Sequence, residues 1–155
     1  MAPVMMDHGA LTDALLAHLV TELGSSSTDP GVGDGEKPPG CGWLEGQPGV
    51  DAFRPYVVLV SAGAVPRALG IAGPLPTWAV NWSLRTFGGS RAQCDQMATK
   101  ARRAVAGFTH TKFGDAPQWV VAGTEWPALG PVTRVDATKP AFWQVLDTVT
   151  LLCTS

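Results

Sequence analysis

AVNWSLRTFGGSRAQ, residues 79–93, changes its hydrophobic period in mid-stretch and so decides how the chain is built. From Ala79 to Phe87 the residues alternate, with Val80, Trp82 and Leu84 on one face and Asn81, Ser83 and Arg85 on the other. A period of two with one apolar face reads as a half-exposed antiparallel strand. Gly88-Gly89 ends it, and Ser90 followed three residues later by Gln93 forms a capping box that opens a helix. The expected inner stripe of that helix is Cys94, Met97, Ala101, Ala104, Val105 and Phe108. Arg91, Asp95, Thr99, Arg102 and Arg103 face outward, and Gly107 terminates it.

Upstream, Leu11–Leu23 places Leu11, Leu15, Leu16, Leu19, Val20 and Leu23 on one side of a second helix, with Asp7 as its cap and Gly24 at its end. His18 lies four residues before Glu22, a spacing that suits an ion pair at the helix rim. Tyr56–Val60 is a short apolar run rich in β-branched residues and reads as a buried strand. Gln118–Ala122, Val132–Val135 and Phe142–Cys153 also read as strands. Asp147 interrupts the apolar parity of Trp143, Val145, Val149 and Leu151, so a bulge or a sheet edge is expected there. Two segments read as long loops. Residues 24–53 hold eight glycines, four prolines and the Ser25-Ser26-Ser27 run, and residues 62–78 hold three glycines and three prolines. The first also carries Trp43, Leu44, Val50 and Phe53, so part of it is expected to pack. The fold expected is a single α+β domain over residues 1–155. It is a two-layer sandwich in which both helices pack on one face of an antiparallel sheet of about four to five strands.

The chain has 155 residues, the size of one domain. Hydrophobic residues make up 45%, enough for a core, whereas the 15% charged share falls below the roughly 25% usual for soluble domains. No stretch approaches the roughly 18 apolar residues of a membrane span, and no basic residue precedes the first apolar positions as in a signal peptide. Cys41, Cys94 and Cys153 are odd in number and widely spaced, which fits neither a disulfide framework nor a metal knuckle. A net charge of −2 argues against a dedicated nucleic-acid binder. The charge is nonetheless segregated. Residues 1–51 carry eight acids and one base, residues 52–155 five acids and ten bases. Complementary segments of this kind suit head-to-tail contact between copies.

Motifs of chemistry are sparse. Gly31-Val32-Gly33-Asp34-Gly35 resembles a phosphate loop but lacks the Lys-Ser/Thr and the strand-to-helix setting that give the motif meaning. Gly88-Gly89-Ser90-Arg91 at a helix start is a better anion-site candidate, and a cap explains the same residues. Cys94 in the first turn is the one candidate nucleophile, and its place on the inner stripe favours a structural thiol. The three histidines share no metal-ligand spacing, so no metal, cofactor or catalytic set is assigned. The six tryptophans say more. Trp82, Trp119 and Trp143 fall in strands, while Trp43, Trp78 and Trp126 fall in Gly/Pro-rich segments where tryptophan often anchors an interface. Trp78, between Pro76 and the strand at 79–87, is the preferred exposed anchor. With Arg91, Arg102 and Arg103 these three loop tryptophans make up the candidate interface.

The Val32-Gly33-Asp34-Gly35 segment, Pro55-Tyr56-Val57-Val58, the strand running into Gly88-Gly89-Ser90-Arg91-Ala92-Gln93, and the late Phe142-Trp143-Gln144-Val145-Leu146-Asp147-Thr148 strand, set behind an amphipathic helix, resemble tail terminator proteins of long-tailed siphophages, actinobacteriophage members above all. The resemblance implies a non-enzymatic virion protein, assembled in the host cytoplasm, that forms a hexameric ring on the head-proximal end of the tail tube. Such a ring stops tube polymerisation and gives the head-completion proteins a docking surface, with DNA passing only through its lumen. It also implies an antiparallel sheet flanked by helices, and makes the 24–53 and 62–78 loops candidate contacts with neighbouring subunits, tube or connector. A neck or head-closure connector of the same assembly is the alternative, and a small cytosolic enzyme using Cys94 or the Gly88-Gly89 turn a more distant one.

Overall fold

A computed structural model of the chain describes residues 5–24, 29–44, 53–67, 77–115, 118–137 and 140–154. The fold is α+β. In chain order its elements are helix α1 (His8–Leu23), strands β1 (Gly31–Asp34), β2 (Gly42–Trp43), β3 (Phe53–Arg54), β4 (Tyr56–Arg67) and β5 (Thr77–Gly88), helix α2 (Arg91–Ala106), and strands β6 (Lys112–Phe113), β7 (Trp119–Ala128), β8 (Thr133–Val135) and β9 (Phe142–Thr154). Seven strands form one sheet in the order β1-β4-β5-β9-β7-β6, with β8 alongside β9; β2 and β3 pair separately. The sheet is mixed, because β1 runs parallel to β4 while the other pairs are antiparallel. The expectation of four to five purely antiparallel strands is thereby corrected.

Of the extra strands, β1, β2 and β3 come from the segment read as one long loop, and β6 is a short strand ahead of β7. Gly31 and Gly33 hid β1, since glycine is depleted in strands, yet both are needed for close approach. A Cβ on Gly31 would collide with the Cys41 sulfur, and one on Gly33 with the Glu36 carbonyl oxygen. The chain then turns at Gly35, whose φ is +74°, and crosses to β4 by way of the β2–β3 flap, as a parallel neighbour requires. The 62–78 loop is shorter than its composition suggests. Residues 62–67 continue β4 through a bulge between Ser61 and Ala64, with Gly63 at φ +95°, and Thr77 and Trp78 already belong to β5. Pro66 is tolerated because, among the described residues, β4 beyond Leu59 pairs only with β5. The Ser25-Ser26-Ser27 run, Val50 and Pro76 lie outside the described residues.

Both helices share one core with one face of the sheet. Leu11, Leu15 and Leu19 of α1 and Met97, Ala101 and Val105 of α2 meet Val57, Leu59, Val80, Trp82, Leu84, Val121, Val149 and Leu151. The buried stripe of α1 is narrower than its hydrophobic arc. Leu16 is only half-buried and Val20 is exposed. A smaller core lies on the other sheet face, where the flap covers Tyr56 and Val58 with Cys41 and Phe53. Its rings form a chain. Trp43 meets Phe53 edge-on at 5.1 Å, Phe53 faces Tyr56, and Tyr56 stacks on Phe87 at 4.5 Å.

The β9 strand neither bulges at Asp147 nor stands at an edge. It pairs with β5 without a break from Gly88↔Trp143 to Thr77↔Thr154, and Asp147 sits opposite Leu84. The irregularities fall on β7 instead, between Val121 and Gly123 and between Glu125 and Ala128. On that side the partner of β9 passes from β7 at Thr148 to β8 at Gln144, which leaves the Asp147 level to the chain around Gly130.

Candidate interaction surface

Helix α2 is capped by Ser90 as expected, with the return bond of the capping box made one residue earlier, at Gly89. Ser90 Oγ accepts from Gln93 N–H at 3.1 Å, and Gln93 Oε1 accepts from Gly89 N–H at 2.8 Å. Gln93 Nε2 also donates to the Phe53 carbonyl at 3.3 Å, so one side chain ties the helix start to the flap. With these groups in use, Gly88-Gly89-Ser90-Arg91 acts as a cap. A Cβ on Gly88 would lie 2.6 Å from the Cys94 nitrogen, which shows how closely the strand end meets the helix.

Arg102 does not face outward as its helical position suggests. Its Nε donates to Asp147 Oδ2 and its Nη2 to Asp147 Oδ1, each at 2.8 Å, and Nη2 also donates to the Gly130 carbonyl at 3.3 Å. Gly130 N–H returns a bond to Asp147 Oδ1 at 2.9 Å. The Asp147 side chain is 0% exposed and that of Arg102 27%, so a charge buried in the sheet is satisfied by one planar cation and one backbone amide. The bond to Asp147 raises the guanidinium above its ordinary pKa. Gly130 must be glycine, because a Cβ there would run into the Leu146 carbonyl oxygen.

This staple holds the 126–132 segment alongside α2 and leaves a shallow groove of about 240 Å³ between them. Arg102, Arg103, Ala106, Trp126 and Leu129 line it. Leu129 is 57% exposed and the Trp126 ring is half-buried, packed against the main core. A wider recess follows along the same flank of α2, between Arg91, Ala92 and Asp95 and the chain at Pro131 and Val132. Arg91 and Arg103 are exposed and form no ion pair among the described residues.

The structure thus brings together Trp126, Arg102 and Arg103, places Arg91 farther along the same helix, and sets the other candidates elsewhere. Trp126 lies within β7 at its second bulge, not in a turn. Trp78 is in β5, half-buried against the main core with its indole N–H buried and unpartnered, so it is not the exposed anchor expected from its proline-rich neighbourhood. Trp43 belongs to β2; its indole N–H donates to the Ala141 carbonyl at 3.2 Å and its ring caps the smaller core. His18 does not pair with Glu22. Its Nε2 meets the Ala104 carbonyl at 2.7 Å and its ring lies 5.2 Å from Phe108, which joins α1 to α2.

Leu129, Gly130 and the partner of Asp147 escaped the sequence reading. The signal was there in part, since a lone acid in an otherwise apolar strand needs a cation, and Arg102 sits beside the inner stripe of α2, which packs on that strand. Cys94 is buried with its thiol 3.8 Å from the Thr86 carbonyl, and burial, chiefly, pushes its pKa up to about 11. That is the opposite of an activated nucleophile. Among the described residues no group of three or more His, Cys, Asp or Glu is placed to share a metal ion, and no helix is long and apolar enough to cross a membrane. No family model matches the chain, and no curated protein matches it.

Proposed function

We propose that the protein is a structural subunit that works by contact with other subunits, and that it is a tail terminator. In this role it closes as a ring, of six copies in the pattern of that family, on the head-proximal end of a siphophage tail tube, ends polymerisation and offers the opposite face to a head-completion protein. The observation that carries the reading is the groove beside α2, where an exposed leucine, a half-buried tryptophan and an arginine with no ion pair among the described residues share one small surface. Exposed apolar groups with a charged rim are the composition of a contact surface. The specific role rests on the sequence resemblance, which includes the strand and cap at residues 79–93 and the last strand. In this reading the architecture is essentially two layers, helices on one sheet face, with the flap as a partial cover on the other.

Tail tube protein polymerised with and without the purified chain provides the test. Shorter tubes, each with extra density at one end by negative-stain microscopy, are expected. Tubes of unchanged length and bare ends overturn the terminator role, and label found on the neck of tailed particles but not at the tube end assigns the protein to head closure instead.

A further inference from the structure

The groove beside α2 has an apolar floor and a cationic rim, and the same chain presents a segment of opposite character. The turn at the end of β1, Asp34-Gly35-Glu36-Lys37-Pro38-Pro39, exposes Asp34, Glu36, Lys37 and Pro39, two acids against one base. Neither acid forms an ion pair among the described residues, whereas Glu125 is paired with Arg67 and Asp136 with Arg134. The turn is stiff. Gly35 N–H donates to the Leu59 carbonyl at 2.8 Å, Gly33 is pressed against the Glu36 carbonyl, and two successive prolines fix the backbone beyond it. A preordered segment loses little entropy on docking.

The turn does not serve its own groove. Through the pairings Asp34↔Leu59, Leu59↔Leu84 and Leu84↔Asp147, and the bond from Asp147 to Gly130, a single row crosses the sheet with the turn at one end and the groove wall at the other. Three strand spacings of about 4.8 Å separate Asp34 from Asp147. The helix layer fills the space above, since α1 packs on β1 and α2, and α2 packs on β5 and β9. Glu22 of the same chain lines a neighbouring cleft with Lys100 and Arg103 and forms an ion pair with neither among the described residues, while Asp147 is taken up by Arg102 and Glu125 by Arg67. Two cations there meet one acid.

We propose that the groove lined by Arg103, Trp126 and Leu129 receives the Asp34–Pro39 turn of a second copy of this chain. The proposal deepens, and rests on, the reading of the protein as a self-associating subunit. Arg103 faces Glu36 or Asp34 across the rim, and a proline ring covers Trp126 and Leu129. Because a patch on one side of the row meets a different patch on the other, the contact is heterologous and repeats head to tail, closing into a ring or continuing as a filament according to its angle.

The test uses the full chain. Mass photometry and light scattering follow its self-association, and a cysteine pair, Glu36→Cys with Leu129→Cys, reports proximity, since the native Cys41, Cys94 and Cys153 are buried. Arg103→Glu and Glu36→Arg should each weaken association about tenfold, and their combination should restore it. Asp13→Lys, an exposed charge on α1, should leave it unchanged. Oxidation of the cysteine pair should give a ladder of covalent multimers. A chain that is monomeric at all concentrations overturns the proposal, as does a combined variant weaker than either single one or the lack of any ladder. The terminator role is scored separately on tubes. Self-association through the groove without tube capping removes that role and leaves the groove, whereas capping that survives Arg103→Glu removes the groove and leaves the role.

Discussion

Asp147 carries a charge in the middle of a sheet, and what surrounds it sets its worth. The carboxylate is held by two bonds from Arg102 and one from Gly130 N–H, with no water-exposed surface of its own. Removing one partner of such a pair strands the other, at a typical cost of about 3–5 kcal/mol. Arg102→Ala is therefore expected to lower unfolding stability by about 3 kcal/mol, the lower end because Arg102 keeps some solvent contact, as read from urea denaturation. Arg102→Met with Asp147→Leu should recover most of that loss, since an apolar pair leaves no stranded charge. Arg102→Glu thus tests folding before it tests assembly, and Arg103 is the residue to reverse when association is the question. The buried thiols give a pH dependence. Burial raises Cys94 to about 11 and Cys153 to about 12, against an ordinary value of 9.0. Both stay protonated in the fold while the unfolded chain gives up these protons above pH 9, so their contribution is complete below about 9 and is lost as pH climbs through 11 to 12. The melting temperature should fall between pH 8.5 and 10.5, and less steeply in Cys94→Ala. Equal slopes would show that the thiol does not report on folding.

Element by element, the start of α2 concentrates the most structure in the fewest residues. Ser90→Ala removes one cap and should cost about 1 kcal/mol. Gln93→Ala should cost more, because it frees Gly89 N–H and also releases the Phe53 carbonyl that holds the flap. Hydrogen exchange separates the two, with faster exchange at Trp43 and Phe53 expected in Gln93→Ala and not in Ser90→Ala. Both residues were legible from the S-x-x-Q spacing, and the flap was not, because its tie is a contact across 40 positions of sequence. The same division holds elsewhere. The cap and stripe of α2, the strand at 79–87 and the cores of β4 and β9 follow from local periodicity. Strand β1 does not, since its two glycines answer to Cys41 and Glu36 rather than to strand propensity. Proline and glycine at Gly63 and Pro66 looked like a loop because a bulge on an outer stretch of strand uses the same residues. The candidate site divides in the same way. The charge of Arg103 and the ring of Trp126 were visible, while Leu129 and the staple that brings them together depend on Asp147, whose partner lies 45 positions away.

For the whole molecule, the 15% charged share and its division into an acidic first third and a basic remainder matter most to the proposed contact between copies. If the groove takes the turn of another copy, two forces hold the contact and salt separates them. The Debye length shrinks from about 10 Å at 0.1 M to about 3 Å at 1 M, which weakens an exposed rim pair between Arg103 and Glu36 but leaves the burial of Trp126 and Leu129 intact. Self-association should therefore weaken by about three- to tenfold over that range and persist at the high end. Arg103→Glu should reduce the salt response, because the attraction being screened is gone, and Leu129→Ser should weaken association at every salt concentration while leaving the slope in place. Association that strengthens steadily with salt would mean that apolar burial alone holds the copies together. Complete loss at 1 M would mean that the floor of the groove contributes nothing. Light scattering of the wild type and the two variants at three ionic strengths distinguishes the three outcomes.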